Sequence, residues 1–252
     1  MRTVLPVVTS TLALLFAIEI GVQWVERRRP HQLVWALALA CFATGAACEF
    51  VGAVWGWSVP LYRAWYLAGA MYAAAWLGLG SVFLLVPRRV ALWAAAIVAA
   101  LSVIALIRVL QVNVAAADVV PPSGEVRPPA VHGLPGDVVA LVAVLNSFGT
   151  IAVIGGALWS AWRFRTAGWA AYRVVSNVLI AGGALVVGAA GTLTRLGRPE
   201  YLFVGEFFGI VLIYAGFLRS RPRISLPLVA ILRGGGGRPH TPVLPPKDSG
   251  AS

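Results

Sequence analysis

The stretch Val90 to Val112, VALWAAAIVAALSVIALIRVLQV, decides the fold class. Its only polar residues are Ser102, Arg108 and Gln111, so it offers about the 20 apolar residues that a helix needs to cross about 30 Å of hydrocarbon. It is rich in Ala, Leu and Val and shows no period-two alternation. That rules against a transmembrane barrel, whose strands run about ten residues with alternating faces. Six further runs read the same way: Val4 to Val25, Leu33 to Trp55, Leu61 to Val86, Val138 to Trp162, Trp169 to Leu193 and Tyr201 to Leu218. Composition agrees, with 60% hydrophobic and 12% charged residues against about a half and a quarter in soluble domains. The sequence therefore predicts an all-α polytopic membrane protein, a bundle of seven transmembrane helices over residues 1–223.

Arginines set the expected orientation. They follow the first run (Arg27, Arg28, Arg29), the third (Arg88, Arg89), the fifth (Arg163, Arg165) and the seventh (Arg219, Arg221, Arg223), and are sparser on the other side. An excess of positive charge is retained in the cytoplasm, which places the N-terminus outside and the C-terminus inside, as expected of a multi-pass protein of the cell membrane. The net charge of +11 is then a topology signal and a match for anionic lipid headgroups. It does not point to nucleic acid. Residues 113–137 carry five prolines and three glycines and read as an extended outer lid or connector. Residues 224–252 read as an interfacial segment, Ile224 to Leu232, followed by a disordered cytoplasmic tail.

Runs one to three and five to seven share an orientation, giving a 3+1+3 layout of the kind that repeat-built transporters use. In each unit arginines follow the first and third helices. The layout is similar in topology to that of sugar-permeating SWEET-type transporters, but their helix-kinking prolines and Pro-Gln signatures are missing. Pro6 lies at the end of the first run, Pro60 just precedes the third, and runs two, five and six contain no proline.

Several chemistries are excluded. A covalently bound retinal needs a lysine in the last helix, and the one lysine is Lys247 in the tail. Haem or zinc within the membrane needs histidines or thiolates at ligand spacing, and His31, His132 and His240 fall in loops or the tail. Cys41 and Cys48 lie about 10 Å apart along one helix, too far for a disulfide. With no phosphate loop, catalytic triad or paired aspartates, an intramembrane enzyme is the least supported reading, and neither a metal nor a cofactor is expected.

What remains is polarity inside the spans, where a charged side chain costs on the order of 3 kcal/mol or more. Glu49 and Glu206 sit at similar depths on the outer side. Tyr62, Arg63 and Tyr66 open the third run, Arg195 closes the sixth, and Asn146 reaches further in. Together they read as an outward-facing polar pocket in which the two glutamates face Arg63 and Arg195. Glu19, Arg173, Ser176 and Asn177 form a second polar group near the inner side. Transport or permeation of a small polar or anionic solute is the leading expectation. The alternative is a ligand- or lipid-sensing seven-helix protein, or an accessory subunit of a membrane complex.

Overall fold

The structure is a computed structural model that describes residues 3–114, 134–166, 171–196, 198 and 201–220. Among the described residues, seven helices are long and apolar enough to cross a membrane: α1 (Val4–Arg27), α2 (Pro30–Trp55), α3 (Val59–Leu85), α4 (Arg88–Gln111), α5 (Gly136–Thr166), α6 (Ala171–Arg195) and α7 (Leu202–Ser220). They coincide with the seven apolar runs to within a few residues, and they mark a membrane-embedded chain. Residues 115–133, most of the proline-rich connector, and 221–252, the expected interfacial segment and tail, lie outside the described residues.

The short connections obey local backbone rules. Arg28 closes α1 in the left-handed region (φ 51°), its N–H reaching the Trp24 carbonyl at 2.7 Å. Pro30 then opens α2, where a missing N–H costs nothing because the first turn has no partner for it. Gly56 ends α2 at φ 87°, a conformation that L side chains rarely adopt. Two residues later Ser58 caps α3 by accepting the Leu61 N–H at 3.4 Å.

Six helices pack in the cyclic order α1, α2, α3, α5, α6, α7 and back to α1, while α4 lies outside against α3 and α5. One apolar core joins α1, α2 and α7 through Phe16, Ile20, Leu39, Ile210 and Ile213. A second joins α2, α3, α4 and α5 through Val34, Met71, Leu79, Val98 and Leu145. Large exposed side chains such as Ile97, Val103, Ile107 and Leu110 cover the outer face of α4. In water such a surface would be an interaction site, whereas in a bilayer it is the lipid face.

Helix α3 is irregular in its middle. Residues Val59–Trp65 are α-helical, Tyr66–Tyr72 form a π-helix, and Ala73–Leu85 return to the α form. The Ala73 N–H bonds to the Ala68 carbonyl, five residues back. Such wide turns are rare and concentrate at functional sites. No proline or glycine pair marks the segment, YLAGAMY, so sequence reading predicts an unbroken helix there.

Candidate functional site

Glu49 lies on α2 nearly two turns before its end and is 1% exposed. A carboxyl group this deep must find donors, because nothing in hydrocarbon replaces the water it leaves. Trp65 of α3 supplies one, its indole N–H donating to Glu49 Oε1 at 2.9 Å. Glu206 of α7 is its other neighbour: the two carboxyl groups face each other, and Glu49 Oε2 has no donor among the described residues. Since an ionised carboxylate only accepts, a hydrogen bond between two carboxyl groups needs a proton on one of them. Helix α1 stands between α2 and α7 in the ring, and α3 flanks α2 on its other side. Contacts from α3 and α7 at once therefore turn Glu49 into the ring. Glu206 is partly exposed as a residue, but its carboxyl group is buried like that of Glu49.

An aromatic wall closes one side. Tyr62, 2% exposed, stacks on Tyr66 with ring centroids 5.6 Å apart and planes 25° apart, and it also packs on Trp65. Trp57 meets Trp65 edge to face at 5.9 Å. Its ring fills the space beside Gly52, where an added Cβ would come within 2.4 Å of the indole. The Trp57 N–H is buried and has no hydrogen-bond partner among the described residues.

Arg63 and the glutamates do not form the ion pair that sequence reading predicts. The Arg63 guanidinium reaches away to the Val112 carbonyl, with Nη2 donating at 2.9 Å, and its buried Nε has no partner among the described residues. The Val112 carbonyl, just past the end of α4, also accepts from the Val114 N–H at 3.1 Å, so the guanidinium is its second donor. The side chain of Arg195, the other expected partner, lies outside the described residues.

Asn146 sits deeper and turns its amide to the backbone of α3. Its Nδ2 donates to the Ala70 carbonyl, inside the π-helical segment of α3, at 2.7 Å. Close approach of α3 and α5 makes this reach short enough: an added Cβ on Gly78 would lie 2.6 Å from the Gly149 Cα. Ser102 of α4 ties down the other face. Its carbonyl accepts from the Tyr72 hydroxyl at 2.7 Å and its Oγ from the Trp76 indole at 3.2 Å. Sequence reading passed over Trp65 and Ser102. The available signals were a tryptophan at the depth of Glu49 and a lone serine within the most apolar run.

The residues grouped toward the other side bond locally. Ser176 Oγ donates to the Tyr172 carbonyl and Asn177 Nδ2 to the Arg173 carbonyl, each one turn back on α6. Polar side chains inside a helix commonly satisfy themselves this way. The Arg173 guanidinium lies over the Phe164 and Tyr172 rings. Glu19 is partly buried on α1. A neighbouring polar contact that sequence reading missed joins α1 to α2, where Gln32 Nε2 lies 3.5 Å from Gln23 Oε1.

Among the described residues no group of three or more His, Cys, Asp or Glu is placed to hold a metal ion. The site is thus a carboxyl pair bridging two helices, with an indole donor and a π-helical segment directly attached to that donor. A carboxyl pair of this kind can hold a proton between its two members. Comparison with protein-family models, with curated proteins and with solved structures finds no match to this chain.

Proposed function

We propose that this protein is a proton-linked carrier of a small polar or anionic solute in the cell membrane, with its N-terminus outside and its C-terminus in the cytoplasm. The observation that carries this reading is the Glu49–Glu206 pair, two buried carboxyl groups facing each other from different helices in a chain with few charged residues inside its spans. Intramembrane carboxyl groups facing a bundle interior are costly, and they serve proton relays and coupled transport. Arg63, one residue from the aromatic wall, supplies positive charge for an anionic solute on the same side of the bundle.

The packing order supports a 3+1+3 reading. In a parallel repeat the α3–α5 contact corresponds to the α7–α1 contact, and α4 stands outside as the connector. Arginine clusters after α1, α3, α5 and α7 would then meet anionic headgroups at the cytoplasmic face.

A second reading, a proton-responsive sensor or a subunit of a larger complex, is favoured by one observation. Glu49 is 1% exposed and α2 is pressed against the π-helical segment, with an added Cβ on Gly45 only 2.7 Å from the Gly69 Cα. Such tight packing suits a closed bundle.

Purified protein in liposomes with an internal pH indicator separates the readings. The carrier predicts that an imposed proton gradient collapses faster in the presence of a transported solute, and that Glu49→Gln with Glu206→Gln abolishes the effect. A wild-type protein with no flux but a pH-dependent tryptophan signal selects the sensor. A protein with neither response overturns both.

A further inference from the structure

We infer that Asn146 is a positioning residue for the proton site, holding Tyr66–Tyr72 in its π-helical register and so keeping Trp65 on Glu49. The inference rests on the carboxyl pair being the functional site, and it assigns control of that site to a residue that does not touch it.

Three observations meet here. Trp65, the donor to Glu49, is the last α-helical residue before the π-helical segment begins. The Asn146 amide enters that segment at the Ala70 carbonyl at 2.7 Å, bringing a donor from a different helix. The segment is also fixed on its remaining sides, by Gly45 of α2 packed against Gly69 and by the Tyr72 hydroxyl on the Ser102 carbonyl.

The physical argument follows from the ladder. A hydrogen bond to the fifth residue encloses one residue more than the usual bond to the fourth, and the wide turn persists only where side chains or packing stabilise it. Where the ladder changes back toward the α form, backbone carbonyls tilt off the helix axis and accept from outside donors. Asn146 is such a donor. Without it the α register regains its advantage, and the surplus residue must pass out of the segment. At 3.6 residues per turn, a one-residue change of register turns the part of α3 before Tyr66 by about 100° relative to the part after Tyr72. That rotation carries the Trp65 indole off the Glu49 carboxyl group. It also swings the Tyr62–Tyr66 stack and Arg63, so the same movement that breaks the Trp65–Glu49 bond re-forms the aromatic wall. Asn146 therefore acts on the acceptor side of the proton site through α3.

The test reads the Trp65 indole hydrogen bond in full-length protein by ultraviolet resonance Raman spectroscopy, as the difference between each protein and its Trp65→Phe counterpart. Asn146→Leu keeps the branched shape and removes the donor. Asn146→Ser is a milder change whose short hydroxyl cannot reach Ala70 and bonds back to its own helix. Both are expected to lose the bonded-indole signature seen in wild type, while Asn146→Gln, whose amide still reaches the carbonyl, retains it. Retention of the signature in a folded Asn146→Leu or Asn146→Ser protein overturns the assignment. Proton flux is measured on the same samples, and its absence in wild type with the Raman pattern as expected defeats the carrier reading while the role of Asn146 stands.

Discussion

Replacing Gly149 by alanine tests the crossing that lets Asn146 reach α3. A Cβ at this position would stand 2.1 Å from the Ala74 carbonyl oxygen and 2.3 Å from its carbon, where ordinary contact begins at 3.4 Å. Both obstacles are backbone, so no side chain can swing aside, and α3 and α5 must separate locally by about 1.3 Å, the difference between those distances. The Asn146–Ala70 bond, now 2.7 Å, would stretch to about 4 Å and break. Overpacking of this kind costs about 1–3 kcal/mol. The lost interhelical hydrogen bond adds about 0.6–1.7 kcal/mol. Against these, alanine is preferred to glycine in a helix by about 1 kcal/mol. The net expectation is a loss of about 1–4 kcal/mol. Gly155 on the same helix provides the control, because nothing lies within 4 Å of its Cβ position, and Gly155→Ala keeps only the helix-propensity gain. Both variants are compared with wild type by reversible unfolding in detergent, using tryptophan fluorescence. Equal stability of Gly149→Ala and Gly155→Ala would refute the close crossing.

Other outcomes follow from individual contacts. Glu49→Leu strands the Trp65 N–H and removes the partner of Glu206, costing about 1–3 kcal/mol, whereas Glu49→Gln retains an acceptor and gains a donor and unfolds close to wild type. In a double-mutant cycle, Glu49→Leu and Glu206→Leu together cost less than the sum of the single changes, and additive costs would show that the carboxyl groups are not coupled. Gly80→Ala pushes a Cβ to within 2.2 Å of the Trp35 ring and should break the Trp35 indole bond to the Leu77 carbonyl, seen as a shifted emission spectrum relative to Trp35→Phe. Arg108→Ala removes the exposed ion pair with Asp137 and should leave the unfolding midpoint unchanged at moderate salt.

The seven spans were legible because crossing a bilayer demands long unbroken apolar runs, and the breaks at Arg28–Pro30, Gly56–Pro60 and Pro87 follow from backbone rules that single residues carry. Depth along a helix was legible too, since rise per residue is fixed, and it put Glu49 and Glu206 at one level. Choice of partner was not. An arginine within reach looks like the natural partner for a carboxylate, yet Arg63 donates to the Val112 carbonyl while Glu49 takes the Trp65 indole and lies against Glu206. That competition depends on where side chains point after packing. The π-helical segment was invisible for the same reason: YLAGAMY has ordinary helical propensity, and its widened ladder coincides with contacts from Gly45, Asn146 and Ser102 on two other helices and a third. Asn146 itself was legible as a polar residue at depth, but its target was a backbone carbonyl, which no residue type announces.

The most direct test of the account is the infrared absorption of the carboxyl C=O group in the reconstituted protein. A shared proton between Glu49 and Glu206 predicts a protonated-carboxyl band in wild type at neutral pH. The band shifts in deuterated water, and it disappears when both residues are changed to glutamine. A wild-type spectrum without that band, or a band that survives the double change, would contradict the claim that these two residues hold a proton within the bundle.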